Sequence, residues 1–390
     1  MSRWPRHKLE DVAIVLAGFA WRSEFFSDSP SSGPPIIRIQ NLGQNENAKL
    51  VYYSGPIVSG YWVEPNEILI SLSGSFKVCR WSGPRALLNQ RIVVVRPQSS
   101  MRQEFLFYQL LSRVQEIEKA AQGVAVSNTS MGIVREMEVD APSLLEQDRI
   151  VRLLDEADQL RRMRAEADRH TDGLIPAMFY EMFSGAIANR LSYPRHSLEE
   201  VCISPAGIKA GPFGSSLKKE SYTTQGPRVY GQEQIIAGDF SIGDYHISKE
   251  KFDEMRAYSV SPGDVLISLV GTFGKVAVVP EHVEPGIINP RLIRIRVNQR
   301  MILPMFLKHF LELNETQTQL QSLARGQTMG VLNATLLREL TVPVPSLEQQ
   351  NAFAARVAEI RGIGAEQTAS RRRLDDLFQS LLHRAFQGEL

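Results

Sequence analysis

The sequence Pro142-Ser143-Leu144-Leu145-Glu146-Gln147 opens a long, charged stretch that ends at Ser184-Gly185. Its opening recurs as Pro345-Ser346-Leu347-Glu348-Gln349, which is again followed by a charged stretch, ending at Gln387-Gly388. A long internal repeat is the sequence signature of a duplicated architecture. We therefore predict two similar halves, each a globular part followed by a long helix.

Apolar residues recur in both charged stretches at a spacing close to seven, with mostly charged residues between them. Such a narrow apolar seam is typical of two helices packed on each other, and about 35 residues make a helix of roughly 50 Å. Pro176 and the pair Gly362 and Gly364 predict local bends. The predicted seam residues are Ile150, Leu153, Ala157, Leu160, Ala167 and Leu174 in the first helix, and Phe353, Val357, Ile360, Leu374, Phe378 and Leu381 in the second.

The globular parts are related as well. Residues 7–18 (HKLEDVAIVLAG) align without gaps on residues 196–207 (HSLEEVCISPAG), with seven identities. Both copies then show a turn before a β-branched run, which predicts a strand, and later a second such run and an apolar helix. The matched segments are 65–72 and 262–269, 89–95 and 289–295, and 105–111 and 305–313.

These patterns predict a mixed α/β fold class with a pseudo-two-fold internal repeat. The two globular α/β domains are separated by the long helices. The predicted boundaries are 1–143 for the first domain, 144–185 for the first helix, 190–345 for the second domain and 346–388 for the second helix.

Composition restricts the function little. The 390 residues are 43% hydrophobic and 22% charged, with a net charge of +1, which is ordinary for a soluble globular protein. Cys79 and Cys202 lie far apart, so neither a disulfide framework nor a cysteine-rich zinc site is expected. No apolar run approaches the roughly 20 residues that span a bilayer, and we expect a cytoplasmic protein with no membrane partner.

The sequence lacks the usual entry motifs of enzymes. It contains no G-x-G-x-x-G, no G-x-x-x-x-G-K-[ST], no H-E-x-x-H and no G-x-S-x-G, which are typical of nucleotide-binding proteins, metalloproteases and hydrolases. It also lacks the Asn/Asp-Pro-Pro-Tyr motif of amino-methyltransferases; the nearest match is Asn289-Pro290-Arg291. We therefore predict neither a catalytic residue nor a metal site.

Two similar domains on long helices suit a ligand with two contact points, and half-sites one turn apart on duplex DNA are separated by roughly 34 Å. Basic residues are available for such contacts. The alternation of Arg294, Arg296 and Arg300 with apolar residues predicts a strand with one basic face. Charge alone leaves open whether these residues contact DNA or form an ordinary solvated surface. A further basic group consists of Lys209, Lys218, Lys219 and Arg228.

Further motifs follow one another in a fixed order in the two halves. In the first half they are Gly18-Phe19-Ala20-Trp21-Arg22-Ser23-Glu24-Phe25 and Ile37-Arg38-Ile39-Gln40-Asn41. In the second half they are Gly211-Pro212-Phe213-Gly214-Ser215-Ser216-Leu217-Lys218, Val229-Tyr230-Gly231-Gln232, Gly263-Asp264-Val265-Leu266-Ile267-Ser268 and Val342-Pro343-Val344-Pro345-Ser346-Leu347-Glu348-Gln349. On these motifs the chain resembles, over its whole length, the DNA specificity subunits of type I restriction-modification systems. Asp140-Ala141-Pro142 lacks the first proline of the family's Pro-x-Pro, which predicts a looser joint before the first helix.

The resemblance implies two target recognition domains, each binding one half of a split site in double-stranded DNA and held apart by two antiparallel, coiled-coil helices. It also implies two methyltransferase (modification) subunits, which bring S-adenosylmethionine and methylate adenine. Restriction subunits would bring ATP-driven translocation and cleavage. The chain itself would bind no cofactor and would be a non-catalytic reader of DNA.

Residues that are identical in both halves cannot by themselves encode two different half-sites. Lys77 with Lys275, and Arg91 with Arg291, are therefore expected to contact phosphates or to be structural. Residues that read base edges should differ between the copies, although Gln232 could equally satisfy a buried loop. The expected readers are Arg22, Ser23, Arg38, Gln40 and Asn41 in the first domain and Ser215, Ser216, Lys218, Tyr230 and Gln232 in the second, with Lys219 as a further DNA contact.

Three alternatives stay open at this stage. The chain could serve a methylation-only or another two-part system, because a restriction subunit leaves no trace in this sequence. A diverged methyltransferase would need a cofactor loop and the Asn/Asp-Pro-Pro-aromatic motif. A helical interaction scaffold without a DNA role would bind partners through its helices but would not select DNA sequences.

Overall fold

The computed structural model describes residues 4–43, 49–72, 77–114, 127–187, 193–203, 207–213, 216–269, 274–325 and 334–390. The chain forms two compact units. The first unit comprises Met1–Glu166 and Thr368–Leu390, and the second comprises Ala167–Gln367. Each unit therefore contains one globular domain together with parts of both long helices, which are Leu144–Ile187 and Leu347–Gln387.

The first unit has three antiparallel or mixed sheets, with strand orders β1-β11, β2-β10-β7-β8 and β3-β5-β4-β9-β6. Only the β4–β9 pair is parallel among its described strands. The strands are β1 (Arg6–Lys8), β2 (Ala13–Ala17), β3 (Phe26–Ser27), β4 (Pro35–Ile37), β5 (Val51–Tyr53), β6 (Trp62–Val63), β7 (Ile68–Ser71), β8 (Val78–Arg80), β9 (Ala86–Leu88), β10 (Ile92–Pro97) and β11 (Glu138–Asp140). The helices before the first long helix are Leu9–Val12, Gln103–Ser112 and Ser127–Glu136, with short 3-10 helices at Ser23–Phe25, Pro30–Ser32 and Ile39–Asn41.

The second unit repeats this plan with strand orders β12-β20, β13-β19-β16-β17 and β15-β14-β18. Here the β14–β18 pair is parallel. The strands are β12 (Arg195–Ser197), β13 (Ile208–Ala210), β14 (Tyr222–Tyr230), β15 (His246–Ile247), β16 (Val265–Ser268), β17 (Val276–Val278), β18 (Gly286–Ile288), β19 (Leu292–Ile295) and β20 (Thr341–Pro343). The helices before the second long helix are Gln232–Ala237, Lys249–Glu254, Pro304–Glu312, Asn314–Arg325 and Ala334–Arg338, with 3-10 helices at Lys219–Ser221 and Arg256–Tyr258.

The central four-stranded sheet of each unit is buried on both faces, which explains its continuous β-branched runs. In β7, Ile68 and Ile70 point into a core formed with the helices. Leu69 and Val94 point the other way, into a core shared with the five-stranded sheet. In the second unit Val265 and Ile267 likewise face the helices, whereas Leu266 faces the layer that contains β14. Alternate residues of one strand therefore stabilise two different cores.

The strand registers confirm the repeat and correct its alignment. His7 pairs with Val139 as His196 pairs with Val342. The amide of Gly18 donates to the carbonyl of Ile92, and that of Gly211 donates to the carbonyl of Leu292, both at 2.9 Å. Gly18 is therefore equivalent to Gly211, and its ungapped match with residue 207 is wrong. Equivalent residue numbers differ by 189 at the histidines and by 193 at the glycines, so the second copy has four additional residues between them.

The repeated proline motif closes on a buried glutamine at the start of each long helix. Gln147 donates from Nε2 to the carbonyls of Pro142 and Ser100 and accepts from the amide of Arg102. Gln350 makes the corresponding bonds with Pro345, Met301 and Leu303. The equivalent of Gln147 is therefore Gln350; Gln349, which the motif alignment suggests, instead bonds to Tyr193.

Before the first long helix, Asp140 occupies the position that Pro343 has in the second copy, and it is bound by polar and charged side chains. Asp140 is buried, and its carboxylate accepts from Arg6 Nε at 3.2 Å, Arg113 Nη2 at 2.9 Å and Gln109 Nε2 at 3.1 Å. Buried carboxylates in such networks order the segments that surround them. Three donors therefore hold the segment at the position of the missing proline, and the looser joint stays a prediction.

The two long helices run antiparallel within each unit. In the first unit Arg161 pairs with Asp375 at 2.7 Å and lies over the Phe378 ring. The predicted seam is partly correct: Ile150, Ala157, Phe353, Val357 and Phe378 are buried, and Ala167, Ile360, Leu374 and Leu381 are half-buried. Leu153, Leu160 and Leu174 are exposed, and Leu154 is buried in their place.

The cause of the shifted seam is that the helices also pack on the globular domains. In the first unit Leu154 belongs to the core that includes Phe105 and Tyr108, and in the second unit Phe179 contacts Phe306. Both long helices continue through Pro176 and through Gly362 and Gly364 without interruption. No helix in the described part of the chain is both long and apolar enough to cross a membrane.

Candidate DNA interface

In the second unit three segments meet where the parallel strands β14 and β18 end. Tyr230 pairs with Ile288, and the amide of Asn289 donates to the carbonyl of Tyr230 at 2.9 Å. A Cβ atom on Gly211 would lie 1.9 Å from the Asn289 carbonyl oxygen, and one on Gly231 would lie 2.9 Å from its side-chain nitrogen. The close approach of these backbones brings the loop after Gly211, the helix that begins at Gln232 and the segment before Arg291 to one edge.

The loop after Gly211 is anchored by one apolar residue and exposes its polar ones. Leu217 is buried in the core below, and the amide of Ser216 donates to the Phe213 carbonyl at 2.8 Å. Ser216, Lys218 and Lys219 are exposed, so their side chains are accessible. Ser215 lies outside the residues that the structure describes.

Phe213 was not among the predicted contact residues. Its side chain is 83% exposed. An exposed aromatic side chain beside lysines can stack on a base or wedge into a base step. The sequence signal was present, since an aromatic residue between Pro212 and two small residues has no obvious core partner.

Tyr230 belongs to the core. Its side chain is fully buried, its hydroxyl donates to the Glu284 carbonyl at 2.7 Å, and burial raises the pKa of that hydroxyl to about 12. The position equivalent to Tyr230 in the first unit is Ile37, which pairs with Leu88 as Tyr230 pairs with Ile288. Gln232, two residues later, is half-buried at the start of its helix.

In the first unit Arg38, Gln40, Asn41 and Lys77 are joined around one turn. The Arg38 guanidinium donates to Gln40 Oε1 at 3.1 Å, and Lys77 Nζ reaches the carbonyl of Leu42, the residue after Asn41, at 3.5 Å. Asn41 is buried, and its side chain accepts from the Arg38 amide at 2.9 Å. The turn thus presents a guanidinium, an amide and an ammonium group, whereas Asn41 holds the backbone.

Arg22, Ser23 and Arg91 are positioned by a second set of contacts. Trp21 is buried and donates from its indole to the Leu88 carbonyl at 2.9 Å, which anchors the exposed Arg22 and Ser23 that follow it. Phe19 forms a bridge with Asn89, two residues before the exposed Arg91. Ile37, the residue before Arg38, pairs with Leu88, so Arg38 and this second set lie at the same end of the β4–β9 pair.

In both units a buried side chain caps the turn after the parallel strand by accepting a hydrogen bond from the backbone amide three residues earlier, but the residues next to this cap differ. Asn41 accepts from the amide of Arg38, and Gln234 accepts from the amide of Gly231 at 2.7 Å. Both caps are buried. Because the caps are equivalent, the three residues between cap and strand are equivalent too. They are Arg38, Ile39 and Gln40 in the first unit and Gly231, Gln232 and Glu233 in the second.

The lysines and arginines that are identical in both units are held by matching backbone hydrogen bonds, and we call these four residues and their bonds the frame. The amides of Lys77 and Lys275 donate to the side chains of Ser71 and Ser268, at 2.8 and 3.1 Å. The carbonyls of Arg91 and Arg291 accept from the amides of Leu72 and Leu269, both at 2.9 Å. Both lysine and both arginine side chains are exposed, which leaves them available to phosphates.

The predicted basic face of β19 is not a solvent face. Arg294 is only 5% exposed, and Arg296 forms two hydrogen bonds of 2.7 Å with Asp264. The prediction failed because it assumed one solvated face, whereas this sheet is covered on both. Arg228, from the other basic group, pairs with Glu284 at 2.8 Å. Within the described ranges, no group of three or more His, Cys, Asp or Glu side chains could hold a metal ion.

Comparison with known proteins identifies a family. The family model for the type I restriction modification DNA specificity domain matches residues 1–166 and 209–360. The EcoBI specificity subunit of a type I restriction enzyme from Escherichia coli is 27% identical, over 99% of this chain and 86% of that protein. A putative type I restriction enzyme MjaX specificity subunit from Methanocaldococcus jannaschii is 21% identical, over 92% of this chain and 86% of that protein.

Solved structures share the fold. The type I restriction-modification S subunit from M. genitalium has a TM-score of 0.54 at 17% identity, over 99% of this chain and 96% of that one. A chain from a structure on complex assembly and conformational transition of the type I R-M system has a TM-score of 0.58 at 17% identity, over 99% and 98%. The chain therefore belongs to the family of type I restriction-modification DNA specificity subunits.

Proposed function

We propose that each unit reads one part of a bipartite site in double-stranded DNA. The observation that supports this proposal is the shared cap with different neighbours: Asn41 and Gln234 fix the same backbone, while the side chains beside it differ. A constant frame with variable polar side chains is what two different half-sites require, because base edges are read by hydrogen bonds from such groups. Arg38 and Gln40 are the leading readers in the first unit, and Gln232 is the leading reader in the second.

The exposed lysines and arginines of the frame would contact phosphates. Lys77, Lys275, Arg91 and Arg291 occupy equivalent positions, and phosphate contacts fix the position of a protein on the duplex without reading sequence. Lys218 and Lys219 add charge to the loop of the second unit. Binding through these residues should weaken steeply with salt, because each phosphate contact releases counterions.

The chain would carry no catalytic step of its own. Its sequence lacks the nucleotide-binding and methyltransferase motifs named above. Two methyltransferase subunits would supply S-adenosylmethionine and methylate adenine, and restriction subunits, in a system that has them, would supply ATP-driven cleavage. In this arrangement the specificity subunit contributes the choice of site.

The first long helix offers a surface for the methyltransferase subunits. Leu145, Leu153, Leu160 and Met163 are exposed along it within the first unit. At about 100° per residue these four positions fall within roughly 80° of one another, so they form one apolar stripe. Exposed apolar stripes of this kind mark interaction sites.

Methylation sequencing of the host, with and without the gene, tests the proposal. Loss of methylation at one two-part motif, and at no other, is the expected result. The purified chain incubated with labelled S-adenosylmethionine and DNA should transfer no methyl group. Methyl transfer by the chain alone would identify it as an enzyme, and an unchanged methylation pattern would favour a scaffold without a DNA role.

A further inference from the structure

The second unit contains a cavity lined by four cationic side chains. Lys209, Arg256, Arg294 and Arg296 line it together with Gly207 and Ser259, and its volume is about 280 Å³. In the liquid one water molecule occupies about 30 Å³, so the cavity has room for a small anion. The frame residues described above, Lys275 and Arg291, are not part of its lining.

The repeat shows that these charges are not needed for the fold. Lys209 pairs with Arg294 across β13 and β19, and the equivalent pair in the first unit is Leu16 with Val94. Leu16 and Val94 pack in an ordinary apolar core. The same sheet position therefore accepts an apolar pair in one copy and carries two adjacent cations in the other.

The ion pair next to Arg294 occurs in both units and carries no net charge. Arg296 is bidentate to Asp264, and the equivalent Arg96 is bidentate to Glu67. Asp264 therefore balances Arg296 and leaves the second cation, Arg294, without a carboxylate partner. Arg256 is largely exposed and lies 4.0 Å from Asp253.

Arg294 is buried with its charge unbalanced. Nη1 donates to the carbonyls of Ala257 and Ser259, but Nε is buried without a hydrogen-bond partner among the described residues. No ion pair involves Arg294 or Lys209 in the part of the second unit that the structure describes. Lys209 Nζ lies 5.0 Å from the centre of the Tyr258 ring. The five stretches of the second unit outside the description contain no Asp or Glu, and Asp172, whose side chain is also outside it, belongs to the first long helix.

A buried charge without a partner costs free energy, and here two cations stand side by side. Burial, followed by repulsion from Arg296, lowers the pKa of Arg294. An anion in the cavity would remove both costs. Guanidinium groups bind phosphate in particular, because their planar donors match its oxygens.

We propose that this cavity is a phosphate-binding site that only the second unit possesses. The phosphate could belong to the DNA backbone, which rests on the proposed function, or to a free phosphate compound. Lys209 and Arg294 are its principal ligands, and Arg256 closes its exposed side.

The test replaces the cationic pair by the pair of the first unit. Lys209→Leu/Arg294→Val in the full chain should keep the fold, because Leu16 and Val94 fill the same positions in the first copy. Arg372→Leu/Arg373→Leu removes the same charge from exposed positions of the second long helix and serves as the matched control. Circular dichroism verifies folding, and Lys209→Met, which alters one half-buried side chain, provides a second variant.

Isothermal titration with inorganic phosphate, against chloride at equal ionic strength, gives the first readout. The wild type and the control should bind one phosphate saturably, and the Lys209→Leu/Arg294→Val variant should lose at least tenfold in affinity. Equal phosphate binding by wild type and variant, or no saturable binding by the wild type, overturns the proposal.

The slope of log K against log salt for duplex DNA identifies the source of the phosphate. Loss of one backbone contact should make this slope shallower by about 0.9. An unchanged slope, with phosphate binding lost, supports a site for a free phosphate compound. Phosphate binding without sequence-selective DNA binding would leave the cavity assigned and would contradict only the proposed function.

Discussion

Gln147 and Gln350 are 203 positions apart, yet each donates two hydrogen bonds and accepts one at the same place in its unit. Both side chains are fully buried. Each hydrogen-bonds a proline motif to the segment just before an apolar helix of its domain, which is Gln103–Ser112 in the first unit and Pro304–Glu312 in the second. The glutamine thus joins the long helix to the domain on which it packs.

Replacement of Gln147 by Met should loosen this joint in the first unit alone. It leaves the Arg102 amide and the carbonyls of Pro142 and Ser100 without partners, and each buried group left unsatisfied costs about 1–3 kcal/mol. In hydrogen–deuterium exchange, the backbone around Arg102 and the start of the first long helix should exchange faster. The Gln350→Met variant is the matched control and should show the same change only in the second unit. If both variants exchanged at the same rate as the wild type throughout, the assigned role would be contradicted.

His309 predicts a pH dependence of stability. It is buried against Phe353, with Nδ1 3.3 Å from Glu312 and Nε2 lacking a partner in the described structure. Burial lowers its pKa below the ordinary 6.5, opposed by Glu312 and aided by Lys308 and Arg361. The unfolded chain therefore takes up the proton first as pH falls below 6.5, and stability is lost in that window.

The urea midpoint of the wild type should fall between pH 7.5 and 5.0 by more than that of His309→Phe, which keeps a ring but cannot be protonated. The exposed His282, changed to Phe, is the control and should follow the wild type. A wild type and a His309→Phe variant with the same pH dependence would show that His309 does not titrate in this window.

Gln232 and Gln40 predict separate losses of specificity. Gln232→Ala should relax recognition at one half-site, by about 1–3 kcal/mol if the amide reads a base edge, and leave the other half-site intact. Gln40→Ala should do the reverse. Competition binding with duplexes mutated in one half at a time measures both. Lys219→Ala is the comparison for a phosphate contact, since it should weaken all duplexes equally; a uniform loss for Gln232→Ala would remove it from the readers.

The apolar stripe on the first long helix predicts partner assembly. Leu160→Glu/Met163→Glu places two charges on exposed positions, so the fold should be unaffected, whereas association with the methyltransferase subunit should weaken at least tenfold. Analytical ultracentrifugation of the mixed subunits measures this. Arg152→Gln, which also alters an exposed position of the same helix, is the control and should assemble as the wild type does. Full assembly by the doubly charged variant would place the partner elsewhere.

Much of the fold followed from local sequence. The turns before residues 68 and 265 and the β-branched runs after them became β7 and β16, and the repeated proline motif marked the start of both long helices. Local sequence could not place the four-residue insertion before Gly211, because Gly207 continues the identities of the first copy. It also could not show that Leu154, and not Leu153, is buried, because this depends on a globular domain that packs on the same helix.

The candidate interface was less accessible to sequence. Tyr230 and Asn41 are polar residues in otherwise suitable motifs, but one is a strand residue in the core and the other is a buried cap. Arg294 alternates with apolar residues as a solvent-facing residue would, yet a second layer covers that face. Only the pairing of strands shows which equivalent positions differ between the units, and this comparison selects Arg38, Gln40 and Gln232.

Selection from a randomised duplex library by the complete complex of this chain with its methyltransferase subunits tests the central claim most directly. Sequencing of the bound DNA should give two specified blocks separated by a stretch of fixed length without base preference, and Gln232→Ala should blur one block only. A single contiguous block, or bound DNA with no consensus, would contradict the proposal that the two units read two halves of one site.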